Sequence, residues 1–359
     1  MEQCLEFPGF IDVHVHFREP GATNAETTAT GLAAAEKGGL SLVVTMPNTV
    51  PAGDNVGWIE SNLASIGPKG TRIIPSATIT KCRLGREVAD LERLAEAGAA
   101  FFTDDGSYVA DPKVMEEAMF RAKKLDMAIC EHAMDPVELK GGVIRDCDFA
   151  RKANLPIISV ETETRAIERD LSICRTTGCR LHIQHISTAR GVELVRMAQK
   201  EGLPVTAEAT PHHLLFACEE IVCDNANFKM APPIGNREDR AELRKAVKEG
   251  VLMFATDHAP HTAITKSMGF LKSANGIVGL ETAIAVTYRA MVEDEGMPVA
   301  DWAKAWYEMP KSIIHGNIDA LRPTRIFIGE TRRVGWDTFA GLSRNSPYFG
   351  LDFDCWPID

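Results

Sequence analysis

The chain of 359 residues is long enough for one (β/α)8 barrel with additions, or for roughly two to three average domains. Its hydrophobic content of 45% and charged content of 25% are typical of globular proteins and exclude a disordered chain. Its 50 acidic residues exceed its 39 lysines and arginines by 11, which argues against nucleic acid or an anionic membrane as the main partner.

The sequence also argues against membrane insertion and export. No apolar run approaches the ~18 residues of a spanning helix, and the N-terminus lacks the basic and apolar regions of a secretory signal. Its nine cysteines are scattered without a CxxC pair, which is typical of free thiols in a reducing compartment. We therefore expect a cytoplasmic protein.

Short apolar runs alternate with amphipathic segments along the chain, and this alternation predicts strands followed by helices. The predicted strands are residues 10–15, 40–45, 72–79, 99–103, 128–131, 181–185, 203–208 and 251–256. The predicted helices include residues 27–37, 112–124, 164–176, 189–200 and 237–248, and then a helical tract at 280–293 and 299–315.

Eight strand–helix units in about 250 residues match the size of an α/β fold of the (β/α)8, TIM-like barrel type. A doubly wound open sheet is the alternative, but no Gly-rich phosphate loop follows the first predicted strand, as dinucleotide binding would require. We predict a barrel over residues 1–315 and a C-terminal appendage over residues 316–359, with one strand-like run at 325–328.

Histidines and acids collect at the ends of the predicted strands. His14 and His16 end the first strand, where residues two apart point to the same face and form a ready pair of metal ligands. Further candidates lie at the ends of later strands: the adjacent Asp104 and Asp105, then His132, His185 and Asp257. Functional groups of barrel enzymes gather at this rim. Imidazoles and carboxylates suit zinc, and a bridging carboxylate would allow two ions. The alternative to a metal site is that these histidines only form hydrogen bonds with backbone groups where the loops begin.

Several motifs resemble those of dihydroorotases. DVHVHFREPG at residues 12–21 is similar to the first motif of that family, and ATDHAPH at 255–261, followed by Lys266, is similar to the second. Further similar segments are MPNT at 46–49, FTDDG at 102–106, HIST at 185–188, PHHLL at 211–215 and GIVGLET at 276–282. The resemblance extends from about residue 7 to residue 282.

The resemblance implies a role for each matching residue. One zinc ion would be bound by His14, His16 and Asp257, and a second by His132 and His185. Asp105 would bridge the two ions, as in the branch of the family with Thr-Asp-Asp-Gly. Strand alternation does not decide whether Asp105 or Asp104 is the ligand. One ion or two would fit, and two are expected. The implied substrate-binding residues are Arg18, Asn48, His261, Asn275 and Gly276, and Asp257 is also the implied catalytic acid–base.

The implied reaction is the reversible cyclisation of N-carbamoyl-L-aspartate to L-dihydroorotate in pyrimidine synthesis. A hydantoinase- or allantoinase-like amidohydrolase is an alternative, against which the carboxylate site of Arg18 and Asn48 argues. A non-catalytic partner of aspartate transcarbamoylase is another, although all six implied metal ligands are present. A homo-oligomer is also expected, and a complex with aspartate transcarbamoylase is a further hypothesis.

Two features depart from the family. Ala231 occupies the position of a substrate-contacting asparagine. Only nine residues precede Phe10, so the β-sandwich that relatives build before the barrel should be missing or reduced to C-terminal strands.

Overall fold

The computed structural model describes residues 2–316 and 318–358. Its strands, labelled in chain order, are β1 (Gln3–Phe7), β2 (Phe10–Val15), β3 (Leu40–Thr45), β4 (Arg72–Pro75), β5 (Ala128–Glu131), β6 (Arg180–Ile183), β7 (Val205–Ala209), β8 (Leu252–Phe254), β9 (Thr324–Arg333) and β10 (Asp352–Ile358). They form two parallel sheets, in the orders β2-β3-β4 and β5-β6-β7-β8, and one antiparallel sheet in the order β1-β9-β10.

Helices connect the parallel strands in the predicted alternation. The α-helices are Thr28–Lys37, Val56–Leu63, Leu91–Glu96, Pro112–Lys124, Pro136–Leu139, Asp148–Lys152, Glu161–Thr177, Ala189–Lys200, Pro211–Leu215, Arg237–Lys248, Ala263–Lys266, Gly269–Lys272, Ala283–Thr287 and Val299–Lys311. Short 3₁₀ turns cover Lys81–Arg83, Cys218–Glu220, Ala226–Phe228, Leu280–Thr282 and Trp336–Thr338, and a π-helical segment covers Tyr288–Glu293. The tract predicted as one helix at 280–293 is thus divided into three helical types.

Local sequence explains where several helices begin and end. The Thr27 side chain accepts from the backbone N–H of Thr30, and Asp111 precedes Pro112 and accepts from the next backbone N–H. Such oxygen caps satisfy backbone donors that a helix leaves unpaired in its first turn. The helix that ends at Thr177 is followed by Gly178 in the left-handed conformation.

The two parallel sheets are joined on both sides. Between β4 and β5, Phe102 pairs in parallel with Ala77 and with Ile129. These two isolated bridges are the only strand pairing described for the predicted strand 99–103. On the other side, Val15 pairs with His258, whose carbonyl accepts from the backbone N–H of His16 at 2.8 Å. One buried apolar cluster includes residues of β2, β3, β4, β5 and β8, so both sheets share a core.

The antiparallel sheet corrects the expectation for the appendage. Strand β1 pairs with β9 over Gln3 to Phe7, and β10 pairs with the other edge of β9. The appendage therefore takes a strand from the N-terminus, whereas the sequence analysis derived it from the C-terminal segment alone. The division at residue 315 stays a prediction.

Among the helices of residues 2–316 and 318–358, none combines the length and the apolarity needed to cross a membrane.

Candidate active site

Five buried or nearly buried side chains meet at the ends of the parallel strands. They form two groups of candidate metal ligands, His14–His16–Asp105 and Asp105–His132–His185, whose ligand atoms lie within 4.8 Å of one another. Asp105 belongs to both groups. The structure thus brings together residues from strand ends that lie far apart in the sequence.

In the first group, the Nε2 atoms of His14 and His16 face the same carboxylate. They lie 3.2 Å from Oδ1 and 3.3 Å from Oδ2 of Asp105, respectively. Asp257 adds a second carboxylate, whose Oδ1 is 2.9 Å from His16 Nε2 and 3.4 Å from His14 Nε2. Two imidazoles and two carboxylates therefore surround one point.

In the second group, two imidazoles approach Oδ1 of the shared carboxylate. His132 Nδ1 lies 3.5 Å and His185 Nε2 lies 3.8 Å from Asp105 Oδ1. The two nitrogens are 2.8 Å apart, which brings both lone pairs toward the same small volume.

The protonation of four of these groups, two histidines and two aspartates, fits a divalent cation. Burial lowers the pKa values of His16 and His132, which favours the neutral imidazoles that bind metal. Burial alone would raise the pKa values of Asp105 and Asp257, but neighbouring histidines outweigh it and lower both. His14 Nε2 is buried and makes no hydrogen bond within the described residues, although the carboxylates of Asp105 and Asp257 lie 3.2 and 3.4 Å away. Nitrogen and oxygen donors in this combination suit zinc and related ions.

The backbone at the site is unusual in two places. His185 and Asp257 have φ angles of 34° and 49°, in the left-handed region that residues other than glycine rarely adopt. Such conformations cost free energy and are concentrated at functional sites, where the surrounding structure holds them in place.

A cavity of about 220 Å³ opens beside the donor cluster. Of the eleven residues that the sequence analysis assigned to the site, only His14, which is fully buried, does not line it. The other ten are His16, Arg18, Asn48, Asp105, His132, His185, Asp257, His261, Asn275 and Gly276. The departing residue Ala231 lines the same cavity.

Comparisons with known proteins assign the chain to a family. A family model described as Dihydro-orotase-like matches residues 4–191. A dihydroorotase of Geobacillus thermodenitrificans is 40% identical, over 98% of this chain and 84% of the relative. A dihydroorotase of Listeria monocytogenes is 40% identical with the same coverage. The chain belongs to the dihydroorotase family. It is therefore a cyclic amide hydrolase.

Solved structures agree on the fold. An L-hydantoinase from Arthrobacter aurescens superposes with a TM-score of 0.83 at 20% identity, over 99% of this chain and 83% of that one. A dihydroorotase from Saccharomyces cerevisiae, in complex with 5-fluoroorotic acid, superposes with a TM-score of 0.77 at 16% identity, over 99% and 98%. At these identities the similarity concerns the fold.

Within this dihydroorotase-family fold, Arg18 and Asn48 occupy different environments. Arg18 Nε donates to the carbonyl of Pro260 at 3.1 Å, which anchors a guanidinium that lines the cavity. Asn48 is bonded to the donor cluster: its Oδ1 lies 3.0 Å from His16 Nδ1, and its Nδ2 donates to Asp105 Oδ2 at 3.4 Å. Asn48 thus orients two candidate metal ligands in addition to lining the cavity.

The loop after Asp257 provides the remaining cavity residues. His261 Nε2 lies 2.6 Å from the carbonyl oxygen of Asn275. Gly276 has a φ of 119°, and a Cβ atom there would lie 2.6 Å from the Cβ of Ala259, so only glycine fits. Lys266 Nζ donates to the carbonyls of Ala274 and Gly276, both at 2.9 Å, which holds the loop against the cavity.

The sequence analysis did not identify Glu208, which contacts His14. Its Oε1 lies 2.6 Å from His14 Nδ1, on the side of the ring opposite the cluster. The available signal was a carboxylate within the apolar run that forms β7, since a buried strand rarely contains an unpaired charge.

Proposed function

We propose that this protein catalyses the reversible cyclisation of N-carbamoyl-L-aspartate to L-dihydroorotate, a step of pyrimidine synthesis. The observation that carries the proposal is the shared carboxylate of Asp105 between two histidine pairs, beside a cavity lined by Arg18. A polarising metal centre and a carboxylate-binding arginine are the two elements that this substrate requires.

The proposed cofactor is zinc, with two ions per chain. His14, His16 and Asp257 would bind one ion, His132 and His185 the other, and Asp105 both. When bound, zinc ions polarise a carbonyl group and lower the pKa of water toward neutrality. The mixed nitrogen and oxygen donors support this assignment.

Asp257 is the proposed acid–base residue. It lines the cavity, and its lowered pKa keeps it a carboxylate at neutral pH. In the hydrolytic direction it would take a proton from the attacking water and transfer it to the leaving amide nitrogen. In the direction of cyclisation the same transfers run in reverse.

Arg18, Asn48 and His261 are the proposed ligands of the substrate's α-carboxylate, and the backbone at Asn275 and Gly276 contacts the ring. The planar guanidinium group of arginine matches a carboxylate with two parallel hydrogen bonds. Because hydantoin and allantoin do not carry this carboxylate, Arg18 favours the dihydroorotate reaction over those of the related amidohydrolases.

The remaining proposals concern fold and context. The bridges on both sides of the parallel sheets support a closed (β/α)8 barrel. The structure describes all nine cysteines, and all are free, which supports a reducing, cytoplasmic location. A homo-oligomer, with or without aspartate transcarbamoylase, is the proposed assembly.

An activity assay on the zinc-loaded protein tests the function. We expect cyclisation of N-carbamoyl-L-aspartate, loss of this activity after metal removal, and much slower hydrolysis of hydantoin and dihydrouracil. Turnover of hydantoin alone would assign the chain to the hydantoinases. Bound zinc without turnover of any of the three compounds would contradict an enzymatic role.

A further inference from the structure

A chain of buried polar groups lies beneath the candidate metal site. Its centre is Glu208 on β7, a side chain that is 1% exposed. Its partners are His14, the backbone N–H of His185, and His182. Glu208 itself does not line the substrate cavity.

The first contact orients an imidazole of the metal site. Glu208 Oε1 lies 2.6 Å from His14 Nδ1, which keeps a proton on that nitrogen. The other nitrogen, Nε2, is then the one that can provide a lone pair, and it faces Asp105 and Asp257. A carboxylate behind a ligating histidine also makes the histidine a stronger base toward metal.

The second contact reaches the other half of the site. The same Oε1 atom accepts from the backbone N–H of His185 at 3.1 Å. His185 is in the left-handed conformation, so this hydrogen bond holds a backbone geometry that the chain rarely adopts unaided. One oxygen atom therefore connects His14 of the first group with His185 of the second.

The third contact holds Glu208 itself. Its Oε2 accepts from His182 Nε2 at 2.9 Å, and His182 Nδ1 lies 2.8 Å from Thr206 Oγ1. His182 and Thr206 are direct partners in the register of β6 and β7, so the two strands fix their separation. With both oxygens bonded, the carboxylate has little freedom to rotate.

We propose that Glu208, held by His182 and Thr206, is a positioning residue that fixes His14 and His185 in the geometry required to bind two metal ions. The inference rests on the proposed metal site and adds a residue that the reaction does not contact. It explains why a carboxylate occupies a barrel interior in which an apolar side chain would otherwise pack.

The test compares zinc affinity in the full-length protein by competition with a chromogenic chelator. Glu208→Gln keeps the size of the side chain but removes its charge and one acceptor, and we expect zinc binding about 10- to 100-fold weaker than in the wild type. Glu281→Gln is the matched control. Glu281 is also a buried glutamate, but it accepts from the backbone N–H groups of Ala340 and Gly341, so its zinc affinity should be unchanged.

A merely structural role predicts a different result. In that case E208Q would lower the unfolding temperature of the metal-free protein while leaving the zinc affinity of the folded protein at the wild-type value. That result would overturn the proposal. Wild-type protein without zinc binding would overturn the metal site and, with it, the positioning role.

A milder variant covers the case in which E208Q does not fold. Thr206→Val removes only the hydroxyl group that contacts His182, at the end of this series of hydrogen bonds, and nearly keeps the volume of the side chain. We expect zinc binding a few-fold weaker, in the same direction as for E208Q. A zinc affinity equal to that of the wild type would contradict the proposal that Thr206 and His182 hold Glu208 in place.

Discussion

Asp104 and Asp105 are neighbours in the chain, yet their carboxylates serve different parts of the structure. Asp104 Oδ1 accepts from the backbone N–H groups of Ile79 and Thr80, at 2.9 and 3.0 Å, and Thr80 Oγ1 bonds to its other oxygen. Asp105 instead faces the histidines of both donor groups. One carboxylate stabilises a loop and the other belongs to the site.

This difference predicts opposite outcomes for two similar substitutions. Asp105→Ala should lose most of the bound zinc, because it removes the carboxylate common to both groups. Asp104→Asn should keep the zinc but destabilise the fold by about 1–3 kcal/mol, since its bonds to backbone donors are weakened. Elemental analysis and thermal unfolding measure the two effects. Equal loss of zinc in both variants would contradict the assignment of Asp105.

Asp257→Asn tests the acid–base role. The amide has the shape of the carboxylate but does not accept a proton, so we expect kcat to fall about 10²- to 10⁴-fold. Steady-state rates are compared at equal zinc content, determined on the same samples. Asp148→Asn, on the surface beside Arg151, is the control and should keep the wild-type rate. A near-normal kcat for D257N would remove Asp257 from the mechanism.

Arg18→Ala tests recognition of the substrate's carboxylate. Hydrogen bonds to charged groups contribute about 1.5–3 kcal/mol, which corresponds to a KM for N-carbamoyl-L-aspartate roughly 10- to 100-fold higher. The zinc content should not change, because Arg18 is not among the candidate ligands. Arg18→Lys retains the charge without the planar pair of donors and should recover only part of the affinity. An unchanged KM in R18A would place the carboxylate elsewhere.

Ala231→Asn restores the amide that the family motif has at this position. Since Ala231 lines the cavity, we expect the new side chain to bond to the substrate and lower KM about fivefold, for a net gain of about 1 kcal/mol. Ala231→Leu has a similar size without the amide, and it should not lower KM. If both variants gave the wild-type KM, position 231 would lie outside the substrate's reach.

Zinc affinity should depend on pH through His14. Burial alone would lower the pKa of His14, but the carboxylates of Asp105, Glu208 and Asp257 outweigh it and raise the pKa well above its usual value. The metal-free protein therefore holds an extra proton near neutral pH, and zinc must displace it from Nε2 because Glu208 retains the one on Nδ1.

The affinity for zinc should accordingly rise with pH, by about tenfold per pH unit for one displaced proton. Competition titrations at several pH values above the usual histidine pKa of about 6.5 measure this slope. Calorimetry in two buffers with different protonation enthalpies gives the number of protons released. An affinity that does not change with pH would mean that His14 is already neutral in the metal-free protein.

Much of the fold could be predicted from local patterns. The predicted strands 10–15, 40–45 and 128–131 match β2, β3 and β5 in full, because each is an apolar run between clear turn or helix signals. Strand β1 was missed because an edge strand of five residues has a weak pattern, and its partner β9 lies at the other end of the chain. Pairing between distant segments depends on the folded arrangement and leaves no local signal.

The sequence by itself determined which chemical groups stand at the strand ends: parallel strands share a direction, so residues such as His14, His132 and His185 meet at one rim. Only the tertiary structure decided which acid of the Asp104–Asp105 pair faces the histidines. It also decided that Glu208 contacts the ring of His14 and the backbone N–H of His185. These choices depend on the direction of each side chain at an irregular strand end and on contacts between strands that lie far apart in the sequence. Neither can be deduced from residue spacing.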